Sequence, residues 1–172
     1  CKNKGFSLLR AAADRRGIST LAHGLNTDDL CDYRPGLKAA HEHGIVSPLV
    51  DAGMSKEEIR QASREMGLET WNMPSQSCLA TRIPYGECLS REKIMQIKHA
   101  EDHLQLLGFE GVRVRYHGPL ARIECKTQDI EKISSPAFRN KITKALRAQG
   151  FKFVSVDLEG YASGRMNRML SA

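Results

Sequence analysis

The sequence predicts an α/β protein in two parts: an incomplete α/β layer over residues 1–72, then a small α+β domain over residues 73–172 of order α-β-β-α-β. Three observations predict it. The first part alternates helical and strand-like stretches but supplies one or two strands, too few for a parallel sheet buried on both faces. The second part carries two helix-period apolar stripes flanking two runs of period-two alternation. Between them, Trp71 to Ser90 contains Pro74, Pro84 and Gly86, which keep that segment out of regular structure.

The elements follow in order. Phe6 to Arg15 reads as a helix, and Gly17 to Gly24 as a short strand ending at glycine. Pro35 to His43 reads as a helix that stops at Gly44. Ser55-Lys-Glu-Glu58 is a capping-box pattern, in which hydroxyl and carboxylate satisfy each other's amide donors. Its helix runs to about Met66 and stops at Gly67. Ser90 caps a helix through Leu107, with Ile94, Ile97, Leu104 and Leu107 on the core face. Val112, Val114 and Tyr116 alternate with Arg113, Arg115 and His117, a strand with one apolar face. Gly118-Pro119 turns the chain into a second strand, Leu120 to Cys125. There Ala121, Ile123 and Cys125 share one face, Arg122 and Glu124 the other. Ser135-Pro136 opens a helix lined by Phe138, Ile142 and Leu146, and Phe151 to Leu158 is the third strand.

Composition bounds the function. Of 172 residues 41% are hydrophobic and 27% charged, as in an ordinary globular protein. No apolar run reaches membrane-spanning length, and no secretory signal pattern opens the chain. The five cysteines, Cys1, Cys31, Cys78, Cys88 and Cys125, are odd in number and irregularly spaced, unlike a disulfide framework. Reduced thiols in the cytoplasm are expected. The formal charge of +6 suits an anionic partner, although scattered basic residues also describe a solvated surface.

Chemistry concentrates in Trp71-Asn-Met-Pro-Ser-Gln-Ser-Cys78-Leu-Ala-Thr-Arg82-Ile-Pro-Tyr-Gly86. A rigid loop presents Cys78 next to the cation Arg82, and a nearby guanidinium favours the nucleophilic thiolate. A small buried hydrophobe is the alternative. Asn26-Thr-Asp28-Asp29-Leu-Cys-Asp32-Tyr-Arg34 follows a strand end, where ligands bind in open α/β sheets. Its aspartates could hold a divalent ion or a ribose, or cap a polar turn. Cys78, Cys88 and Cys125 could ligate three irons of a four-iron, four-sulfur cluster and leave one iron open. Arg82, Arg113, Arg115 and Arg122 could clamp phosphate or carboxylate through bidentate forks, or be solvated. His99 and His103 are four apart on one helix with no third ligand near, and read as surface residues.

The blocks Asn26-Thr-Asp-Asp-Leu-Cys-Asp-Tyr-Arg-Pro-Gly36, Ser47-Pro-Leu, Pro74-Ser-Gln-Ser-Cys78-Leu-Ala-Thr-Arg82-Ile-Pro-Tyr-Gly-Glu87, Val112-Arg-Val-Arg-Tyr-His-Gly118 and Ala121-Arg-Ile-Glu124 resemble the LarE family. The resemblance covers nearly the whole chain. Its members are ATP-dependent sulfur transferases that help to build the nickel-pincer nucleotide cofactor of lactate racemase. It implies a PP-loop domain joined to a small α+β domain, with 1–72 the remnant of the first. The implied reaction adenylates a carboxylate of a pyridinium-dicarboxylate mononucleotide, using ATP with Mg2+, and converts it to a thiocarboxylate. Carried over by position, Cys78 handles the sulfur, and Arg82, Arg113, Arg115, Arg122 and Glu124 contact substrate. Asn26, Asp28, Asp29, Asp32 and Arg34 contact the nucleotide. Some relatives sacrifice the sulfur of the Cys78 position; three-cysteine relatives carry it on a cluster, and Cys78, Cys88 and Cys125 incline the expectation to the latter.

Two departures matter. The Ser-Gly-Gly-x-Asp-Ser loop that cradles ATP phosphates is absent, so the chain resembles the last two-thirds of the family. The missing PP-loop half, or a partner chain supplying it, is therefore expected, as is a homo-oligomer. Near Gly160-Tyr-Ala-Ser-Gly164, many relatives carry an arginine before Ser-Gly; here Arg165 follows it. The competing expectations are a non-catalytic nucleotide-binding remnant and a PP-loop relative that modifies tRNA. The lack of a dense basic patch with interleaved aromatics argues against the last.

Overall fold

The computed structural model describes residues 2–31, 36–73, 77–162 and 168. Cys1, Asp32, Arg34, Gly164 and Arg165, named above, lie outside them, as does Pro74-Ser-Gln76 of the cysteine motif. The chain forms two compact units, Cys1–Ser75 and Gln76–Ala172.

In the first unit the elements are α1 (Lys2–Asp14), β1 (Leu21–Ala22), α2 (Gly36–Glu42), β2 (Ile45–Val46), α3 (Pro48–Asp51) and α4 (Lys56–Glu65). β1 and β2 pair in parallel, Leu21 with Ile45 and Ala22 with Val46. The strand expected over Gly17 to Gly24 shrinks to two residues, the length of the strand it pairs with among the described residues. Arg10 stitches the unit, donating from Nη1 to Ser19 O at 2.8 Å and from Nη2 to His43 O at 3.1 Å. The capping box forms as expected. Ser55 Oγ accepts from Glu58 N, and Ser55 N donates to Glu58 Oε2 at 2.8 Å.

The second unit contains α5 (Arg91–Leu106), β3 (Arg113–His117), β4 (Leu120–Glu124), α6 (Ile130–Ser134), α7 (Pro136–Ala148) and β5 (Phe153–Val156). β4 is central: antiparallel to β3, with Arg115 opposite Arg122, and parallel to β5, with Leu120 opposite Phe153. The hairpin between β3 and β4 turns on two residues. Gly118 takes the positive φ of 60° that a first central position of this kind demands, and Pro119 follows. The helix expected to open at Ser135-Pro136 forms as α7, and a short helix that was not expected, α6, precedes it. Ser135 precedes a proline, which disfavours the helical region, and it adopts φ −64°, ψ 155° between them. β5 is shorter than expected because it pairs only along β4.

Alternation puts the apolar face of this sheet inward. Val112, Val114, Ala121, Ile123 and Cys125 pack with Ala100 and Leu104 of α5 and Ile142 and Leu146 of α7. Phe109 closes one end, edge-on to Phe138 at 5.2 Å. Each such side chain contributes about 1.5–3 kcal/mol on burial. The opposite face carries Arg113, Arg115, His117, Arg122 and Glu124, so the core fixes a rigid polar surface.

Candidate functional site

Cys78 precedes a single 3-10 turn, Leu79–Arg82, and its thiol is exposed. The turn is local chemistry. Thr81 N and Thr81 Oγ1 both donate to Cys78 O, at 2.9 and 2.7 Å. The next turn closes with Glu87 N donating to Pro84 O at 3.2 Å.

Two buried ion pairs fasten this loop to the helix and sheet of its own unit. Arg82, 3% exposed, donates from Nε to Glu101 Oε1 at 2.8 Å and from Nη2 to Glu101 Oε2 at 3.1 Å. Its Nη1 donates to Ser77 Oγ at 2.7 Å and to Thr81 Oγ1 at 3.0 Å. Arg115, 6% exposed, donates from Nε and Nη2 to Glu124 Oε2 at 2.9 and 2.7 Å, while its Nη1 donates to Thr81 O at 2.9 Å. Removing one member of a buried pair costs about 3–5 kcal/mol, because it leaves the other charge uncompensated. Downstream, Lys93 of α5 pairs with Glu87 and donates to Cys88 O at 3.0 Å. The Glu87 carboxylate holds the Lys93 pKa up.

The sequence offered Arg82 and Arg115 as possible clamps for phosphate or carboxylate, or as solvated residues. Here each is committed to a carboxylate and to loop carbonyls. Arg122 keeps more access, with 29% of its side chain exposed. Its guanidinium pairs with Asp157, lies 3.2 Å from Glu124 Oε1 and donates from Nε to His117 Nε2 at 3.3 Å. Arg113 donates from Nη1 to Val112 O at 3.0 Å and stacks over Tyr161 at 5.3 Å; its buried Nε has no hydrogen-bond partner among the described residues. Glu124, expected to contact substrate, is fully buried between Arg115 and Arg122.

The three cysteines do not assemble a ligand set. Cys78 and Cys88 are exposed, while Cys125 is fully buried within the apolar core. Burial pushes the Cys125 thiol pKa up, and the charge of Asp129 adds to it. A protonated thiol among Ala100, Ile123 and Ile133 is a poor donor for iron. Among the described residues no group of three or more His, Cys, Asp or Glu is placed to hold a metal ion. In this arrangement the donor set does not fit a cluster.

In the first unit, Asn26, Asp28 and Asp29 surround the turn Thr27–Cys31. Asn26 Oδ1 accepts from Asp29 N, and Asp29 Oδ2 accepts from Asn26 N, both at 3.2 Å. Asp28 Oδ2 accepts from Lys56 N at 3.0 Å and so caps α4. These groups thus hold the backbone in the way the capping alternative anticipates. An open surface depression nearby is lined by Asp28, Lys56, Glu57 and Arg60.

Sequence reasoning missed Glu101. Its signal was present: it lies four after Ile97 and three before Leu104, a carboxylate on an apolar stripe. Such a placement demands a buried partner.

No protein-family model matches this chain. It is 41% identical over 171 residues to the uncharacterized protein slr1717 of Synechocystis, covering 99% of this chain and 64% of that protein. It is 38% identical over 170 residues to the pyridinium-3,5-bisthiocarboxylic acid mononucleotide synthase of Lactiplantibacillus plantarum, covering 99% of this chain and 61% of that enzyme. It is 32% identical over 163 residues to the uncharacterized protein MJ0830 of Methanocaldococcus jannaschii, covering 95% and 63%. The chain thus spans somewhat under two-thirds of the length of each of these relatives, and the resemblance read from its motifs runs along almost all of it.

Proposed function

We propose that this chain, a homologue of the LarE sulfur transferases over the stretch it shares with them, is the sulfur-delivering part of such an enzyme. The whole enzyme converts an adenylated carboxylate of a pyridinium mononucleotide to a thiocarboxylate, using ATP with Mg2+ for the adenylation. The observation that carries the reading is the exposed Cys78 on a loop clamped by two buried arginine–carboxylate pairs. Such rigidity suits a nucleophile that must meet one carbonyl in one orientation.

Cys78 acts as thiolate on the acyl-adenylate carbonyl. A carbon–sulfur bond forms and AMP departs with the electrons of the carbon–oxygen bond. Loss of the Cys78 α-proton then breaks the Cβ–S bond, leaving the sulfur on the substrate as thiocarboxylate and a dehydroalanine at position 78. This direct route needs Cys78 alone of the three cysteines, and the burial of Cys125 favours it over delivery from a three-cysteine cluster. Arg122, with 29% of its side chain exposed and Glu124 behind it, meets the substrate's phosphate or second carboxylate from the polar sheet face. Arg82, Arg113 and Arg115 shape that face. Asn26, Asp28, Asp29, Asp32 and Arg34 contribute to the nucleotide site of the whole enzyme.

The test is Cys78→Ala in the complete gene product, assayed by mass spectrometry of the nucleotide. Thiocarboxylate should vanish, and the unsubstituted protein should lose one sulfur per turnover at position 78. Retained product in Cys78→Ala would remove this residue from the reaction.

A further inference from the structure

Glu101, the carboxylate paired with Arg82, joins three elements: α5, β3 and the Cys78 loop. It sits in α5, 5% exposed, among side chains of the apolar stripe. Oε1 accepts from Val114 N of β3 at 2.9 Å as well as from Arg82 Nε at 2.8 Å. Oε2 accepts from Arg82 Nη2 at 3.1 Å. Among the described residues β3 is an edge strand, and the helix carboxylate takes an outward amide that no further strand pairs with. The fork leaves Arg82 Nη1 directed along the loop, where it reaches Ser77 O at 3.2 Å, Ser77 Oγ at 2.7 Å, Cys78 O at 3.4 Å and Thr81 Oγ1 at 3.0 Å.

We propose that Glu101 is a positioning residue for Cys78: through Arg82 it fixes the backbone on both sides of the thiol relative to the rigid sheet. It does not touch the reacting atoms. A bidentate carboxylate–guanidinium pair sets a plane as well as a distance. With that plane fixed, the remaining guanidinium nitrogen can satisfy the Ser77 and Thr81 hydroxyl oxygens only in one loop conformation. A mere core-filling role would be served as well by an apolar side chain, which would neither accept from Val114 N nor orient Arg82. The proposal rests on Cys78 being the sulfur-handling residue for its meaning, but not for its test.

The test reads thiol accessibility within one molecule. The chain is alkylated with iodoacetamide, and the rates at Cys78, Cys88 and Cys125 are followed by peptide mass spectrometry. Cys88 is the exposed reference, and fully buried Cys125 reports general unfolding. Glu101→Gln keeps the shape and removes the charge. Ser77→Ala removes the hydroxyl that accepts from Arg82 Nη1 at the far end of the relay, at an exposed site. Both should change the Cys78:Cys88 rate ratio by about threefold or more, the scale of a lost local hydrogen bond, with Cys125 still protected. An unchanged ratio in folded Glu101→Gln would overturn the proposal. If that variant exposes Cys125 and so has unfolded, Ser77→Ala decides: a changed ratio supports the relay and an unchanged one overturns it. Failure of Cys78→Ala to stop sulfur transfer would sink the functional reading without altering these ratios, so the two failures are distinguishable.

Discussion

His117 accepts from Arg122 only while its Nε2 carries no proton. Burial lowers its pKa first, and the charge of Arg122 lowers it further, with Arg115 in the same direction and Glu124 opposing. A folded-state pKa below the ordinary 6.5 means that the unfolded chain takes up the proton first. Stability therefore falls as pH drops through that value and levels off below the folded-state value. The expected outcome is a melting temperature that declines between about pH 7 and 5, with a smaller decline in His117→Gln, which can still accept from Arg122. Equal declines in both proteins would assign the acid sensitivity elsewhere. At this scale the sequence was only half legible. The alternation of Arg113, Arg115 and His117 told which face they occupy. It did not tell that Arg115 is buried, because its cover, the Thr81 carbonyl, comes from a loop far away along the chain. Cys125 was placed on the core face correctly, yet the cluster expectation required the same sulfur to leave it.

Elements were more legible where their signals were local. The capping box at Ser55 needs only four residues, and both its bonds are present. The Ser55 hydroxyl and amide together hold the Glu58 pKa down. Ser55→Ala should cost about 1 kcal/mol, the usual value of an N-cap. Hydrogen exchange read at amides 56–59 should speed up while amides of α7 stay unchanged; equal protection before and after would show the cap to be idle. Signals that depend on partners read less well. The strands β1 and β5 came out shorter than their β-rich sequences, since a ladder is only as long as its neighbour. The split of α6 from α7, in contrast, was written in Ser135-Pro136.

At the scale of the whole molecule, the largest fully buried side chains among the described residues belong to the second unit. Its core includes Ile97, Leu104, Phe109, Ile123, Leu146 and Phe151. Among the described residues of the first unit, the buried hydrophobics are Ala13, Leu25, Ala39, Ala40 and Ile45, mostly too small to bury much area. Burial scales with apolar area, so the fragment 77–172 should melt cooperatively by circular dichroism and 1–73 should not. A cooperative transition in the short fragment would mean that its stability comes from polar bonds such as those of Arg10. The parallel pairing of β4 with β5 carries a consequence in time. β3 and β4 meet through a two-residue turn, so their contacts close within a short loop of chain. Phe153 reaches Leu120 only after α6 and α7 have been laid down between them. Long-range pairing demands its loop entropy before any contact rewards it, so the hairpin, with α5 docked on it, is the natural nucleus and β5 the last strand to zip. The polar face that frames Cys78 would then be assembled early, whereas the contact of Arg122 with Asp157 just beyond β5 would wait for the final step of the folding reaction.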